Sequence, residues 1–139
     1  MDLIPQLKEE HRTIMKLFVS IHDGIADKKE STEEITDLFR ELYEVLTAHL
    51  ELEDKLLYPV FTRAKQKELK ELGKRFSGEM LMIAKKIMMF FTEYEKKSID
   101  ELRGSKKSSD ELQAIISSVK NRVAIEESVL FPAYEKFAR

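Results

Sequence analysis

The sequence predicts an all-α protein, an antiparallel up-down-up-down four-helix bundle with an internal helical-hairpin repeat. Three observations carry that expectation. Four segments place apolar residues at i, i+3, i+4 spacing, and no useful length of chain alternates with the period of two of a half-buried strand. The boxes Ser31-Thr32-Glu33-Glu34 and Ser108-Ser109-Asp110-Glu111 have the spacing of helix starts, in which a serine and a glutamate cap each other's backbone. The connections between segments are short, which favours antiparallel neighbours.

The first helix is expected from about Leu3 to Ile25, with Leu7, His11, Ile14, Phe18, Ile21 and Ile25 on one face and an end at Gly24 and Asp27 to Glu30. The second follows Ser31 and carries Ile35, Leu38, Leu42, Val45, His49, Leu52, Glu53 and Leu56, weakening at Pro59. The third, about Lys65 to Lys97, has Leu69, Leu72, Phe76, Met80, Ile83, Ile87, Phe90 and Tyr94 inward. Gly73 and Gly78 argue against one straight helix there. Lys97 to Ser109 reads mostly as a loop. The last helix carries Leu112, Ile115, Val119, Arg122, Val123, Glu126, Val129 and Leu130, with Pro132 near its end.

With 139 residues, 42% of them hydrophobic, the chain fits one domain, 1–139, built of halves at about 1–62 and 65–139. The 24 Lys plus Arg nearly cancel the 26 Asp plus Glu, a net charge of −2, which argues against nucleic acid as the partner. No apolar run reaches the roughly 18 to 20 residues needed to span a bilayer, and no secretory signal is visible, so no membrane partner is expected. Cysteine is absent, which excludes disulfides, zinc–thiolate sites and iron–sulfur clusters and fits a cytoplasmic protein. With three histidines in all, a metal site must lean on carboxylates.

His49 and Glu53, four residues apart, leave the same face of a helix, and that face is apolar. A charge there is costly unless paired or bound to a metal. The chain supplies an echo. Aligning Glu53 with Glu126 places Asp54 on Glu127, Leu57 on Leu130, Tyr58 on Phe131, Pro59 on Pro132 and His49 on Arg122; Glu10-His11 aligns more weakly with Glu79-Met80. In a duplicated hairpin, Glu53 and Glu126 point inward from facing helices. Helix heights place His11, His49, Glu53, Met80, Arg122 and Glu126 in one layer, while His22 lies about 16 Å from His11 along its helix and cannot join it.

These residues resemble the hemerythrin-like family, in particular its HHE cation-binding branch. The most specific pieces are His49-x-x-x-Glu53 followed by Leu57-Tyr58-Pro59, and the echo from Glu126 to Pro132. The resemblance implies a four-helix bundle around a non-haem di-iron centre, each half giving one histidine and a His-x-x-x-Glu pair. Its roles are dioxygen or nitric oxide binding, redox sensing, and iron handling or repair. His11, His49, Glu53 and Glu126 match the ligand positions. Met80 and Arg122 stand where the second half would have its histidines, so a two-iron centre is not expected.

Two imidazoles and two carboxylates suit one Fe(II), with Mn(II) or Zn(II) as alternatives, better than calcium. Arg122 would stand in for the second cation, holding Glu53 and Glu126 from the other side. A metal-free reading stays open beside this one: Arg122 and a protonated histidine balance the carboxylates, and the bundle serves as a regulatory or protein-interaction module without cofactor. Enzymatic activity is not expected, since no nucleophile–base pair or substrate-pocket motif is present. For Met80, Met82, Met88 and Met89 the expected role is packing.

Overall fold

The computed structural model describes residues 2–27 and 31–137. Its elements are α1 (Leu3–Asp27), α2 (Thr32–Leu52), α3 (Tyr58–Thr62), α4 (Lys67–Glu95), α5 (Ile99–Arg103), α6 (Lys106–Ile125) and α7 (Phe131–Phe137). Two five-residue π-helical turns, Glu53–Leu57 and Glu126–Leu130, join α2 to α3 and α6 to α7. The result is an all-α helical bundle without strands among the described residues. Helix α1 packs against α2 and α6, and α4 packs against α3 and α6. No described helix is long and apolar enough to cross a membrane.

The start of α2 is the expected one. The Glu34 N–H donates to Ser31 Oγ at 3.1 Å, and the Ser31 hydroxyl donates to Glu34 Oε1 at 3.2 Å. The other predicted box is not a start. Helix α6 begins at Lys106, where Ser105 Oγ accepts the Ser108 N–H at 3.1 Å, so Ser108 lies buried inside the first turn. The expected loop before it contains α5, capped by Ser98, whose Oγ accepts the Glu101 N–H at 3.1 Å. Helix α5 forms because Ile99 and Leu102 bury against the end of the bundle. Arg103 then donates to the carbonyls of Ile25 and Gly24 at 3.2 and 3.1 Å, at the C-terminal end of α1. Thus α1 continues past Gly24 to Asp27, and Lys28 to Glu30, expected to end it, lie outside the described residues.

Helix α4 is continuous despite its glycines. Gly73 is a close-approach site, since a Cβ there would come within 2.5 Å of Phe61 Cβ on α3; at Gly78 the same space is open.

The π-turns correct the predicted faces. The Tyr58 N–H bonds to Glu53 O and the Phe131 N–H to Glu126 O, five residues back in each case. One extra residue per turn rotates the helix beyond it. Leu56, expected inward, is 52% exposed, and Leu57 takes the buried place; likewise Val129 is 45% exposed while Leu130 is buried. Each turn lies just before a proline, Pro59 or Pro132, whose missing N–H and bulky ring disfavour a regular α-turn.

Two apolar clusters fill the interior. One is built around Ile14, Phe18, Leu42, Leu46 and Val119, the other around Leu7, Leu57, Phe61, Phe76 and Phe131. Between Leu7 and Ile14 on α1 comes His11; between Leu46 and Leu57 come His49 and Glu53; between Val119 and Leu130 come Arg122 and Glu126. A buried polar layer therefore divides the core.

Candidate metal centre

That layer contains every residue expected in it, all buried: His11, His49, Glu53, Met80, Arg122 and Glu126. The stripes of α1, α2 and α6 carry their polar residues at the same height and α4 carries Met80 there, and the i, i+4 relations of His49 to Glu53 and Arg122 to Glu126 survive because both π-turns begin at the glutamate. One ligand atom from each of His11, His49, Glu53 and Glu126 lies within 4.8 Å of all the others. The two imidazole centroids are 4.8 Å apart, and His11 stacks on Phe131 at 5.4 Å, which fixes its ring plane. A small pocket bordered by His11, His49, Met80, Arg122 and Glu126 continues between the apolar side chains of Ile14 and Val119. His22 is outside this layer, 3.5 Å from Asp23 near the end of α1.

Arg122 does only part of what the sequence suggests. Its Nε donates to Glu126 Oε2 at 3.1 Å. Its other N–H groups go to the Phe76 carbonyl at 2.6 Å, the Tyr58 hydroxyl at 3.2 Å and Glu79 Oε2 at 3.3 Å, with the guanidinium 4.6 Å over the Phe76 ring. No hydrogen bond reaches Glu53, so the expected clamp on both glutamates is a clamp on one. The reason is geometric: the rigid guanidinium fork is committed to α3 and α4 on its far side.

Glu126 is consequently well supported. His11 Nε2 stands 2.9 Å from its Oε1 and Arg122 holds its Oε2. Burial alone would raise its pKa, but the hydrogen bond from His11 and the Arg122 charge outweigh burial and lower it. Glu53 is the opposite case. It is fully buried, and neither carboxylate oxygen has a hydrogen-bond partner; His49 Nε2 stands 3.4 Å from Oε1 without making one. Burial, then the nearby Glu126 charge and the sharing of a proton with that carboxylate, push its carboxyl well above the usual range, and Arg122 offsets only part of that.

The histidines also differ. Burial pulls His11 down, yet its hydrogen bonds to Glu126 and Glu127 more than compensate and leave it raised. Burial and the neighbouring His11 charge lower His49. Tyr58, buried beside both glutamates, has its phenol pushed up, first by burial.

Four participants were not singled out from the sequence: Glu10, Glu79, Glu127 and Tyr58. His49 Nδ1 lies 2.7 Å from Glu10 Oε1, and His11 Nδ1 lies 2.8 Å from Glu127 Oε2. The signal for the three carboxylates was the repeat itself, which pairs Glu10 with Glu79 and Asp54 with Glu127. A buried carboxylate with no donor, inside a cluster of two imidazoles and a second carboxylate, is a donor set that a divalent transition ion fits.

Compared with known families, the chain matches the model described as the hemerythrin HHE cation binding domain over residues 2–134. Neither the curated proteins nor the solved structures compared with it gave a match.

Proposed function

The chain belongs to the hemerythrin HHE cation-binding domain family, and from that premise we propose that it binds a single transition-metal ion, iron first, through His11, His49, Glu53 and Glu126. The observation that carries this reading is the stranded Glu53 carboxylate within a four-residue cluster of ligand atoms. A metal-free balance accounts for Glu126, which has His11 and Arg122, but gives Glu53 no donor. Without an ion, burial and Glu126 hold the Glu53 carboxyl protonated, whereas a divalent cation beside it would supply the partner that its ionised form lacks.

Arg122 argues for one ion rather than two. A guanidinium stays protonated and does not coordinate metals, and this one is locked by four acceptors in place of a fourth-helix histidine. Met80 is buried packing in place of the third-helix histidine. Bound iron would supply an open-shell centre for a diatomic ligand or a one-electron change. The chain's own groups would hold it and keep bulk water out: the four ligands are buried and apolar clusters lie above and below. We therefore read the protein as a sensor of dioxygen, nitric oxide or redox state, or as an iron-handling protein, rather than an oxygen carrier or an enzyme.

Metal analysis tests this directly. Protein prepared with ample Fe(II) and then desalted is expected to hold about one ion per chain and to melt at a higher temperature than the metal-free form, as binding to the native state requires. Trace retention with an unchanged melting temperature would overturn the reading.

A further inference from the structure

We propose that Glu10 and Glu127 are positioning residues for the metal ligands, each holding one imidazole by Nδ1 so that Nε2 is turned toward Glu53 and Glu126. The inference rests on reading the four-residue cluster as a metal site. Its geometry is independent of any ion. Glu10 on α1 reaches across to His49 on α2, and Glu127 in the π-turn after α6 reaches back to His11 on α1. The contacts, 2.7 and 2.8 Å, are the shortest made by either ring. The Nε2 atoms point the other way, to Glu126 at 2.9 Å and Glu53 at 3.4 Å.

An ionised carboxylate can only accept, so Nδ1 must carry the proton in each contact. A neutral imidazole with its proton on Nδ1 has its lone pair on Nε2, the atom facing the cluster. At His49 the outer carboxylate thus sets the tautomer a metal needs before the metal arrives. At His11, whose Nε2–H is given to Glu126 in the absence of an ion, Glu127 holds Nδ1–H so that Nε2 is the nitrogen left to face one. Each outer carboxylate raises the basicity of the ligand nitrogen. They are not ligands themselves: their side chains are 21% and 34% exposed, on the outer side of the rings. Gln6 steadies the first of them, donating from Nε2 to Glu10 Oε2 at 3.1 Å and leaving Oε1 for His49.

The duplicated pattern supports the assignment. Glu79 stands at the position of Glu10 and takes a hydrogen bond from Arg122, which stands at the position of His49. Asp54 stands at the position of Glu127, but the residue equivalent to His11 is Met80, which has no N–H to give, and Asp54 lies exposed. The outer carboxylate belongs to each half, and it engages only where its counterpart can donate.

The test uses Glu10→Ala, Glu10→Gln and Glu127→Ala in the full chain. Nitrogen NMR of the metal-free protein is expected to show His49 protonated on Nδ1, and Glu10→Ala is expected to move the proton toward Nε2. Co(II) affinity, by competition with a chromophoric chelator, should fall about 10–100-fold in each alanine variant. It should recover in part in Glu10→Gln, whose amide oxygen still accepts. Folded alanine variants with an unchanged His49 tautomer and the wild-type Co(II) affinity would overturn the inference while leaving the metal reading intact. A wild-type chain that takes up no Co(II) would instead overturn the metal reading, and the ligand role with it.

Discussion

His49 and Arg122 stand at equivalent places in the two halves, and each is held by the equivalent outer glutamate, Glu10 at 2.7 Å and Glu79 at 3.3 Å. One half therefore presents a neutral nitrogen to the centre of the bundle, while the other presents a permanent cation. The asymmetry of the site comes down to that exchange and to Met80 opposite His11.

Reversing the exchange should restore the missing half. Met80→His combined with Arg122→His is expected to raise iron content from about one to about two ions per chain, since the two imidazoles complete a second set of nitrogen and carboxylate ligands. Metal analysis of the folded double variant checks this, and no gain would count against the alignment of the halves.

Arg122 also matters without metal. Arg122→Met removes the donor to Glu126, the Phe76 carbonyl and the Tyr58 hydroxyl in one step. Breaking a buried pair in this way costs about 3–5 kcal/mol, so urea unfolding of the metal-free variant should shift to a much lower midpoint.

Glu53 should behave in the opposite sense. It accepts no hydrogen bond and its raised carboxyl is neutral without metal, so the equally neutral Glu53→Gln is expected to leave metal-free stability within about 1 kcal/mol of wild type or above it. The same variant should lose most of its metal affinity. Thermal melts with and without Co(II) separate the two effects: wild type gains stability on adding the ion and the variant does not.

Metal binding should strengthen as pH rises. In the metal-free chain both Glu53 and His11 are raised, Glu53 chiefly because burial disfavours its ionised form and His11 because Glu126 and Glu127 hold its proton against burial. Those protons must leave before the groups can coordinate. Affinity therefore climbs from the ordinary glutamate value of 4.5 upward through the histidine value of 6.5 and beyond. Calorimetry in buffers of different ionisation enthalpy is expected to show protons released on binding near neutral pH, and no release would contradict the assignment.

Much of this arrangement was legible in the chain, for definite reasons. The polar layer followed from His11, His49, Glu53, Arg122 and Glu126 interrupting three apolar stripes, and heights along helices converted that pattern into one level of the bundle. The π-turns were not legible. Pro59 and Pro132 signalled a disturbance, but a single inserted residue has no marker of its own, so the pattern places Leu56 inward where Leu57 goes, and adds Val129 to Leu130 where only Leu130 is buried. Helix α5 was hidden by the surrounding serines and lysines, although Ser98-x-x-Glu101 carries the same capping signal that located α2. The reach of Arg122 to Phe76 and Glu79 depended on where α4 settles, which no local pattern states.

The two glycines of α4 make a paired test of that packing. Gly73→Ala drives a methyl into Phe61 Cβ and is expected to destabilise by about 1–3 kcal/mol, whereas Gly78→Ala meets open space and should stabilise by about 0.5–1 kcal/mol through helix propensity. Thermal melts of the two variants should move in opposite directions.

The paired π-turns have a consequence for how the molecule tolerates change. Each begins at Glu53 or Glu126 and resets the angular phase of all that follows. The stretch ahead of the turn, which carries the proposed ligands, and the hydrophobic plug behind it, Tyr58–Thr62 in one half and Phe131–Phe137 in the other, answer to separate frames. Regularising either turn to α at unchanged chain length would merge the frames and rotate Leu57 or Leu130 away from the core, and in the second half would also shift the Phe131 ring that stacks on His11. Deleting one residue from the turn would instead keep the inner face in place.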